Sequence, residues 1–165
     1  MKKYSVGINT LIHDTAKIGK DVEIGSNCII DKNVIIGDGT IIKNYVELRE
    51  ETVIGSNCFI DSRVTSSGKC CIGHNVTLRY DTIIARGCEI GSGCYFSPRV
   101  MTNNLDSEKS QIGGAIFGNN TFVGTNAVIH HGIKIGSNAI IGSMSFVNKD
   151  CESNQTYFGI PACKK

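Results

Sequence analysis

The sequence contains no tryptophan and only two prolines. Its other aromatic residues are few, namely five tyrosines and six phenylalanines. It therefore offers little for the aromatic platforms on which the bases of single-stranded nucleic acids stack. Its charges nearly balance, with 17 lysines and arginines against 15 aspartates and glutamates, unlike those of a general nucleic-acid binder. No apolar run approaches the ~20 residues of a membrane-spanning helix. We expect neither nucleic acid nor a membrane as a partner.

The remaining composition favours one folded domain. Hydrophobic residues make up 41% of the chain and charged residues 19%, a balance too apolar for a disordered protein. The length of 165 residues suits a single domain over 1–165. No apolar segment follows the opening Met1, Lys2 and Lys3, so we predict no signal peptide and a cytoplasmic location.

The chain is organised by a six-residue repeat. From Ile12 to Phe96 an apolar residue returns at every sixth position, with Ser66 as the exception, and the repeat resumes from Phe117 to Val147. Of these 21 hexads, 20 begin with an apolar residue. The period fits neither the ~3.6 residues of a helical turn nor the variable spacing of a β-sandwich. It predicts short strands and turns wound around an axis.

The other hexad positions support this interpretation. Position two is glycine in ten hexads, and position four is Asn, Asp or Gly in 14 of the 21, as at Asn27 and Asn57. Because these residue types tolerate left-handed turns, they predict a turn in each hexad, and the 19 glycines predict many unusual backbone angles. Position five is small or β-branched, as at Ala16 and Val22. Positions one and five are predicted to point inward.

With these repeats the sequence resembles the hexapeptide-repeat acyltransferases over about residues 12–152. The resemblance implies an all-β, left-handed parallel β-helix in which three hexads form one triangular coil. The 21 hexads then correspond to about seven coils, with one extruded loop. The resemblance also implies a homotrimer.

Six of the eight cysteines occupy position five, namely Cys28, Cys58, Cys70, Cys88, Cys94 and Cys151. This register predicts small core side chains and no metal site. Cys70 and Cys88 are three hexads apart and are expected to stack on adjacent coils at a distance that permits a disulfide. In a cytoplasmic protein we predict free thiols. Cys163 is the only thiol that we expect to be exposed.

The repeat is interrupted over residues 102–116, a polar loop of a length that is usually functional. The alternative is a tolerated surface insertion. The resemblance implies an arm that builds an active site against a neighbouring subunit. Sugar O-acetyltransferases of the family carry a catalytic histidine in this loop, where the present chain has Asn103 and Asn104. Thr102-Asn103 instead resembles the loop of N-acetyltransferases that act on nucleotide-linked amino sugars.

Asparagine suits transfer to an amine. An amine with a pKa near ~8 is already partly neutral at pH 7, so that positioning can supply much of the rate. We predict that Asn103, and next to it Asn104, hold the amine or the thioester carbonyl. Thr102 and Asp106 are predicted to contact the substrate, Asp106 through an ammonium or a sugar hydroxyl.

The C-terminal tail over 153–165 contains Gly159-Ile160-Pro161-Ala162-Cys163-Lys164, which is similar to the closing signature of the family. The resemblance implies that the tail and the last coils bind coenzyme A. The predicted contacts are Gly124, Gly142, Ser143, Ser145, Lys149, Pro161 and Lys164. The lysines suit phosphates by charge, and the small residues permit close approach. A fraying basic tail is the alternative.

The four histidines are His13, His74, His130 and His131. His13 and His130 occupy position two, where surface turn residues are common, and His131 is predicted to contact substrate. The segment around His74 resembles one of the γ-class carbonic anhydrases, but Arg79 stands where they carry a second zinc-binding histidine. We therefore predict His74 as a base or substrate contact. Arg79 is predicted to bind a sugar-nucleotide phosphate, or else to be an exposed strand charge.

The residues and the resemblance together predict an acetyltransferase that uses acetyl-CoA as co-substrate and acetylates an amine on a nucleotide-linked sugar. The alternatives are a sugar O-acetyltransferase, a metal protein similar to the γ-class carbonic anhydrases, and a β-helix without catalytic activity.

Overall fold

The computed structural model describes residues 4–110 and 113–165, so residues 1–3 and 111–112 of the predicted domain and loop lie outside the described residues. Within these ranges the secondary structure is entirely β, and no helix is present that could cross a membrane. The strands are, in chain order, β1 (Tyr4–Val6), β2 (Leu11–Ile12), β3 (Lys17–Ile18), β4 (Val22–Ile24), β5 (Ile29–Ile30), β6 (Ile35–Ile36), β7 (Ile41–Ile42), β8 (Glu47–Leu48), β9 (Val53–Ile54), β10 (Phe59–Ile60), β11 (Thr65–Ser66), β12 (Cys71–Ile72), β13 (Thr77–Leu78), β14 (Ile83–Ile84), β15 (Glu89–Ile90), β16 (Tyr95–Phe96), β17 (Met101–Thr102), β18 (Ile116–Phe117), β19 (Phe122–Val123), β20 (Val128–Ile129), β21 (Lys134–Ile135), β22 (Ile140–Ile141), β23 (Phe146–Val147), β24 (Thr156–Phe158) and β25 (Cys163–Lys164).

Most strands pair in parallel with the strand three further along the chain, which gives three sheets. Sheet 1 has the order β1-β4-β7-β10-β13-β16-β19-β22-β24-β25, sheet 2 the order β2-β5-β8-β11-β14-β17-β20-β23, and sheet 3 the order β21-β18-β15-β12-β9-β6-β3. The register advances by three hexads per turn, as between Phe59 and Thr77. The prediction of a parallel β-solenoid is confirmed, with about eight turns compared with the predicted seven.

The inward positions of the hexad are also confirmed. Residues at positions one and five form one continuous buried core from Val22 to Cys151. Ser66, the exception in the repeat, is itself buried, and its hydroxyl lies 2.7 Å from that of Thr52 on the preceding coil. The irregular residue therefore keeps its register because a buried hydroxyl partner satisfies it.

The glycines at position two serve close packing, and the unusual backbone angles predicted from the glycine content occur at other glycines, such as Gly39 and Gly93. None of the ten has a left-handed φ. A Cβ atom on Gly55 would lie 2.5 Å from the carbonyl oxygen of Gly73 on the next coil, and one on Gly37 would lie 2.6 Å from the carbonyl carbon of Gly55. Stacked corners leave no room for a side chain at this position.

The left-handed turns fall at position four, as predicted. Asn27 and Asn57 both have φ values of 57°. The same conformation occurs at Tyr45, Arg63 and Met144, with φ values of 60°, 61° and 61°. Hexad position, more than residue type, therefore fixes the left-handed conformation.

The cysteine assignment is confirmed for the six core residues, which are buried and free. Cys58 shows how the core holds a thiol, since its sulfur donates to the carbonyl oxygen of Gly73 at 3.1 Å. The prediction that Cys163 is the only exposed thiol is wrong, because Cys71 is exposed as well. Cys71 is the first residue of β12 and points outward from sheet 3, opposite to the buried Ile72.

The C-terminal tail is a β-hairpin. Strand β24 extends sheet 1 beyond β22, and β25 returns antiparallel to it. Tyr157 of this hairpin is buried, and its hydroxyl accepts a hydrogen bond from the backbone amide of Glu152 at 2.9 Å. The alternative of a fraying tail is not what the structure shows, because the hairpin packs on the last coil.

Replacing Gly55 by alanine tests the close packing of the corners. The added Cβ atom collides with the backbone of the next coil, and overpacking of this kind costs roughly 1–3 kcal/mol. The midpoint of thermal unfolding is expected to fall by roughly 2–4 °C for each kcal/mol. Ser56→Ala, in the same turn, is the matched control and should leave the midpoint in place. Equal midpoints for the two variants would contradict the packing argument.

Thiol titration tests the core. Burial raises the pKa of Cys88 and Cys151 to about 11, which leaves almost no thiolate at neutral pH. The native chain is expected to give at most two fast equivalents with a thiol reagent, from Cys71 and Cys163, and all eight after unfolding. The variant with serine at both exposed positions should give none while folded. More than two fast thiols, or fewer than eight after unfolding, is the contrary result.

Candidate functional site

One interruption breaks the solenoid between sheets 2 and 3. The first residues of β17 and β18, Met101 and Ile116, are 15 positions apart, whereas the corresponding residues of neighbouring strands are six apart. The register between Glu89 and Ile116 accordingly spans four and a half hexads instead of three. Nine extra residues therefore lie between these two strands, and we call the described part of this segment, residues 103–110 and 113–115, the arm.

The arm is closed by its own hydrogen bonds. Oδ1 of Asp106 accepts from the backbone amides of Glu108 at 3.0 Å and Ser110 at 2.8 Å. The backbone amide of Asp106 donates to the carbonyl of Ser110 at 3.2 Å. Asp106, predicted as a substrate contact, thus uses one carboxylate oxygen to hold the turn of the arm.

The arm begins and ends beside a histidine pair. The backbone amide of Asn103 donates to the carbonyl of Ile129 at 3.0 Å, and that of Gly132 donates to the carbonyl of Gly113 at 3.2 Å. The two residues between these anchors are His130 and His131. Their ring centroids are 3.9 Å apart, and the ring of His130 also meets Phe146 edge-on at 5.8 Å.

The electrostatics of the pair are unequal. The pKa of His130 is lowered, first by burial and second by the neighbouring charge of His131. Nδ1 of His131 is buried and has no hydrogen-bond partner among the described residues. The lowered pKa favours the neutral form of the His130 ring, while His131 keeps one buried nitrogen without a partner among the described residues.

A groove of about 380 Å³ lies at the start of the arm. Its lining includes Asn103 and Asn104, which face it together with Ile83 and Met101 of sheet 2. Thr102, predicted to contact substrate, is only 3% exposed, and its hydroxyl accepts from the backbone amide of Ala85 at 2.7 Å. The structure therefore brings the two asparagines to one groove, while the Thr102 hydroxyl is used inside the protein.

A partly buried ion pair borders this corner. Arg86 donates to Oε1 of Glu50 at 2.6 Å and to the carbonyl of Ser67 at 2.9 Å. The hydrogen bond from Arg86 lowers the pKa of Glu50. The pair links coils two turns apart and stiffens the wall next to the groove.

The predicted site residues His74 and Arg79 lie on the other two corners. Nδ1 of His74, between sheets 3 and 1, accepts from the backbone amide of Ser56 at 3.0 Å. Arg79, between sheets 1 and 2, donates to the Tyr95 hydroxyl at 3.1 Å and to Asp61 at 3.0 Å, and these partners raise its pKa. One chain does not bring His74, Arg79 and Asn103 together.

Metal-ligating side chains do not cluster in the part of the chain described by the structure. No group of three or more His, Cys, Asp or Glu side chains there could hold a metal ion. His74 and Arg79 both belong to the segment that resembles a carbonic anhydrase, but they lie on two different corners of the solenoid.

The residues predicted to bind coenzyme A divide into two groups. Gly142 and Ser143 lie between sheets 1 and 2, Gly124 is one coil before them, and the Ser145 hydroxyl accepts from the backbone amide of Gly159 in the tail at 3.2 Å. Pro161 lies in the same tail segment, which the amide of Ala162 ties to Phe146 at 2.8 Å. The lysines lie elsewhere. Lys149 follows β23 on the corner of the arm, and Lys164 pairs with Glu152 at 2.7 Å.

A larger open groove of about 640 Å³ covers the last strands of sheet 3. Lys134, Ser137, Asp150 and Glu152 are among its lining residues, and none of the predicted site residues belongs to it. The smaller groove beside the arm therefore remains the candidate site, since it alone of the two contains the predicted chemistry.

The sequence analysis missed the position of His130, on the coil that pairs with the start of the arm. Its signal was available in part, because residues on one corner of the solenoid recur every third hexad. The nine residues of the arm lengthen that interval here, so that His130 falls opposite Asn103.

The fold and this corner define a three-sided parallel β-solenoid made of hexads, with one arm. Two family descriptions match the chain, the C-terminal domain of GMPPB over residues 6–69 and the bacterial transferase hexapeptide (six repeats) over residues 114–149. The second match covers hexapeptide repeats at the end of the solenoid, in agreement with the resemblance found in the sequence.

Known proteins are similar to the chain in part of the sequence or in the fold. A chloramphenicol acetyltransferase of Klebsiella aerogenes is 44% identical over 52 residues, which are 32% of this chain and 25% of that protein. The chain thus matches about a quarter of the length of this relative. A UDP-N-acetylglucosamine acyltransferase structure superposes with a TM-score of 0.69 at 22% identity, over 93% of this chain and 70% of the other. The N-acyltransferase AntD of Bacillus cereus, in complex with dTDP-4-amino-4,6-dideoxyglucose and coenzyme A, superposes with a TM-score of 0.50 at 18% identity, over 98% and 81%. At these identities the two superpositions show the fold.

Proposed function

We propose that the protein is an acyltransferase that moves an acetyl group from acetyl-CoA to the amine of a nucleotide-linked amino sugar. The observation that carries the proposal is the placement of two carboxamide side chains, Asn103 and Asn104, in the groove at the single interruption of the solenoid. The names of the relatives support it, since they include an acetyltransferase and two acyltransferases, one of them solved with coenzyme A and a dTDP-linked amino sugar.

The reaction requires little covalent chemistry from the protein. The amine nitrogen attacks the thioester carbonyl carbon, a C–N bond forms, the C–S bond breaks, and coenzyme A leaves as a thiol. Negative charge grows on the carbonyl oxygen in the transition state, and a carboxamide N–H can donate to it. Asn103 is our candidate for that donor, with Asn104 as a second contact to the amine. Thr102, the residue before Asn103, is held in place by the hydrogen bond that its hydroxyl accepts from the backbone amide of Ala85.

The acetyl-CoA contacts are proposed at the corner between sheets 1 and 2. Gly142 and Ser143 present a small surface there, and the tail segment around Pro161 adjoins it. Lys149 and Lys164 are proposed for the phosphates, although Lys164 is held by Glu152 when no ligand competes. Asp106 and His131 complete the acceptor side at the corner of the arm.

A homotrimer is part of the proposal. His74, Arg79 and Asn103 lie on three different corners, so one chain alone leaves each of them isolated. Association of three solenoids side by side brings unlike corners against one another, which gives His74 and Arg79 a place in a shared cleft. A cytoplasmic location is proposed because the buried thiols are unpaired.

Transfer to a sugar hydroxyl is the second candidate function. The observation that favours it is the histidine pair beside the arm, since a hydroxyl acceptor requires a positioned base. An acceptor panel decides between the two.

Coenzyme A release from acetyl-CoA tests the function. The wild-type protein is expected to release thiol with a UDP- or dTDP-linked amino sugar, and the matching nucleotide sugar with a hydroxyl in place of the amine should be a poor acceptor. Faster release with the hydroxyl sugar would transfer the assignment to O-acetylation. Silence with every acceptor would contradict the proposal.

Asn103→Ala is the mutational arm of this test. Loss of one donor to the developing oxyanion is expected to lower kcat by about 10²–10³. Thermal stability should be retained, because the backbone amide of Asn103 still bonds to Ile129. Glu108→Gln, an exposed residue of the same arm, is the control and should keep full activity. Unchanged kcat in Asn103→Ala would remove this residue from the site.

The trimer is tested by the mass in solution. Light scattering or sedimentation is expected to give three times the single-chain mass of 17.8 kDa. The mass should hold on dilution through the assay concentrations. A mass of one chain in an active preparation would contradict a site shared between subunits.

A further inference from the structure

The outward face of sheet 1 carries a row of apolar side chains with one small member. Because neighbouring strands pair in register, Phe59, Thr77 and Tyr95 lie above one another on three successive coils, and Phe122 follows on the next. Each begins a two-residue strand whose second residue is buried, so its side chain points outward. The row therefore has a space over Thr77, between two aromatic rings, which we call the Thr77 gap.

The two rings that border the Thr77 gap are covered on their outer faces. Tyr95 stacks on Phe122, on the coil after it, with ring centroids 5.7 Å apart and planes 6° apart. The ammonium group of Lys43, on the coil before Phe59, lies 5.8 Å from the centroid of the Phe59 ring. The remaining face of each ring is turned towards the space over Thr77.

The width of the Thr77 gap fits one planar ring. Strands of adjacent coils are ~4.8 Å apart, so Phe59 and Tyr95, which are two coils apart, are separated by roughly 9.6 Å. A ring placed midway lies roughly 4.8 Å from each of them, within the ~4.5–7 Å at which aromatic rings stack. The short side chain of Thr77 leaves this space open, and its hydroxyl can bond to a polar edge of the ring.

The corner beside the Thr77 gap carries an excess of positive charge. Over residues 43–45, 61–63, 79–81 and 97–99, four cationic side chains stand against two carboxylates. Arg79, on the coil of Thr77, donates through Nη1 to the Tyr95 hydroxyl and through Nε to Asp61, which leaves its Nη2 for a ligand. Lys43 forms no ion pair with a described residue. A ligand with a planar ring and an anionic group matches the rings and the charges together.

We propose that the Thr77 gap binds the base of the nucleotide on the acceptor sugar, with the phosphates at Arg79 and Lys43. The inference rests on the proposed function for the choice of ligand, and it deepens that function by assigning a subsite. The base stacks between Phe59 and Tyr95, an interaction that aromatic side chains make with bases of every type. The Thr77 gap holds a single base, so it is no platform for a nucleic-acid strand.

The position of the Thr77 gap favours the acceptor over coenzyme A. The coenzyme A contacts proposed around Gly142 follow Ile140, which is three coils after Thr77, at roughly 14 Å along the solenoid. Sheet 1 also lies opposite the corner of the arm, because the solenoid has three sides. An acceptor held in the Thr77 gap of one chain therefore meets the groove beside Asn103 of another chain in the proposed trimer.

Calorimetric titration with dTDP and with UDP tests the subsite without acyl transfer. The wild type is expected to bind at least one of the two, whereas ribose 5-phosphate, which has a phosphate and no base, should not bind. Thr77→Trp fills the gap with a ring of the protein and should abolish binding. Phe59→Leu and Tyr95→Leu each remove one stacking ring and should weaken binding by roughly 5–150-fold.

Thr65→Trp is the matched control. Thr65 begins β11 on sheet 2 and is half-buried like Thr77, but its strand neighbours Glu47 and Ile83 carry no aromatic ring. This variant should bind the nucleotide as the wild type does. Tyr95→Phe keeps the ring and should retain most of the affinity that Tyr95→Leu loses. The mass of Thr77→Trp in solution should equal that of the wild type.

Several results overturn the inference. They are binding of neither nucleotide by the wild type, equal affinity in Thr77→Trp, and an equal loss of affinity in Thr65→Trp. A changed mass of Thr77→Trp would make the row a contact between subunits, and binding of ADP without dTDP or UDP would assign the gap to coenzyme A, so both also overturn it.

The proposed function is judged separately by thiol release. Nucleotide binding that Thr77→Trp abolishes, without thiol release from any acceptor, contradicts the proposed function and leaves the nucleotide subsite standing. Thiol release with an unchanged KM for the acceptor in Thr77→Trp overturns the inference alone.

Discussion

Backbone hydrogen bonding between successive coils is the constraint on which the rest of the structure depends. Each strand meets its neighbours at a register of three hexads, so every corner stacks directly on the corner before it. That stacking removes the Cβ atom at position two, as at Gly55, and places left-handed residues at position four, as at Asn57. It also limits the interior to side chains that fit between three close walls. The six-residue repeat of the sequence reflects these structural requirements, which recur in every hexad.

The fold was predictable because the demands are local and repeat in every hexad. The prediction from sequence was wrong in detail where two different physical requirements favour the same residue type. Glycine at position two could have indicated free backbone angles or lack of space, and only the stacked coils show that space decides. Left-handed Tyr45 and Met144 carry no sign of their conformation in their residue type. Their hexad position alone indicates it.

The candidate site was less predictable than the fold because it depends on relations between coils. Residues at equivalent places on one corner differ by multiples of three hexads, a rule that separates His74, Arg79 and Asn103 onto three corners. The arm breaks the rule, since its nine extra residues add to the interval without adding a turn. His130 could be placed opposite Asn103 only once the strand after the arm was known to be β18 at Ile116. Assembly of several chains adds relations that one sequence does not contain.

The choice between amine and hydroxyl acceptors depends on the same corner. An arm without histidine argued for an amine, because a carboxamide cannot remove a proton from a hydroxyl. The next coil, however, supplies His130 and His131 at the base of that arm. Lack of a histidine within the arm is therefore weak ground for excluding base catalysis. The two acceptors differ in how far their transfer depends on the base. An amine is neutral at high pH and then no longer needs the base. A sugar hydroxyl ionises far above the working range and therefore needs the base at every pH.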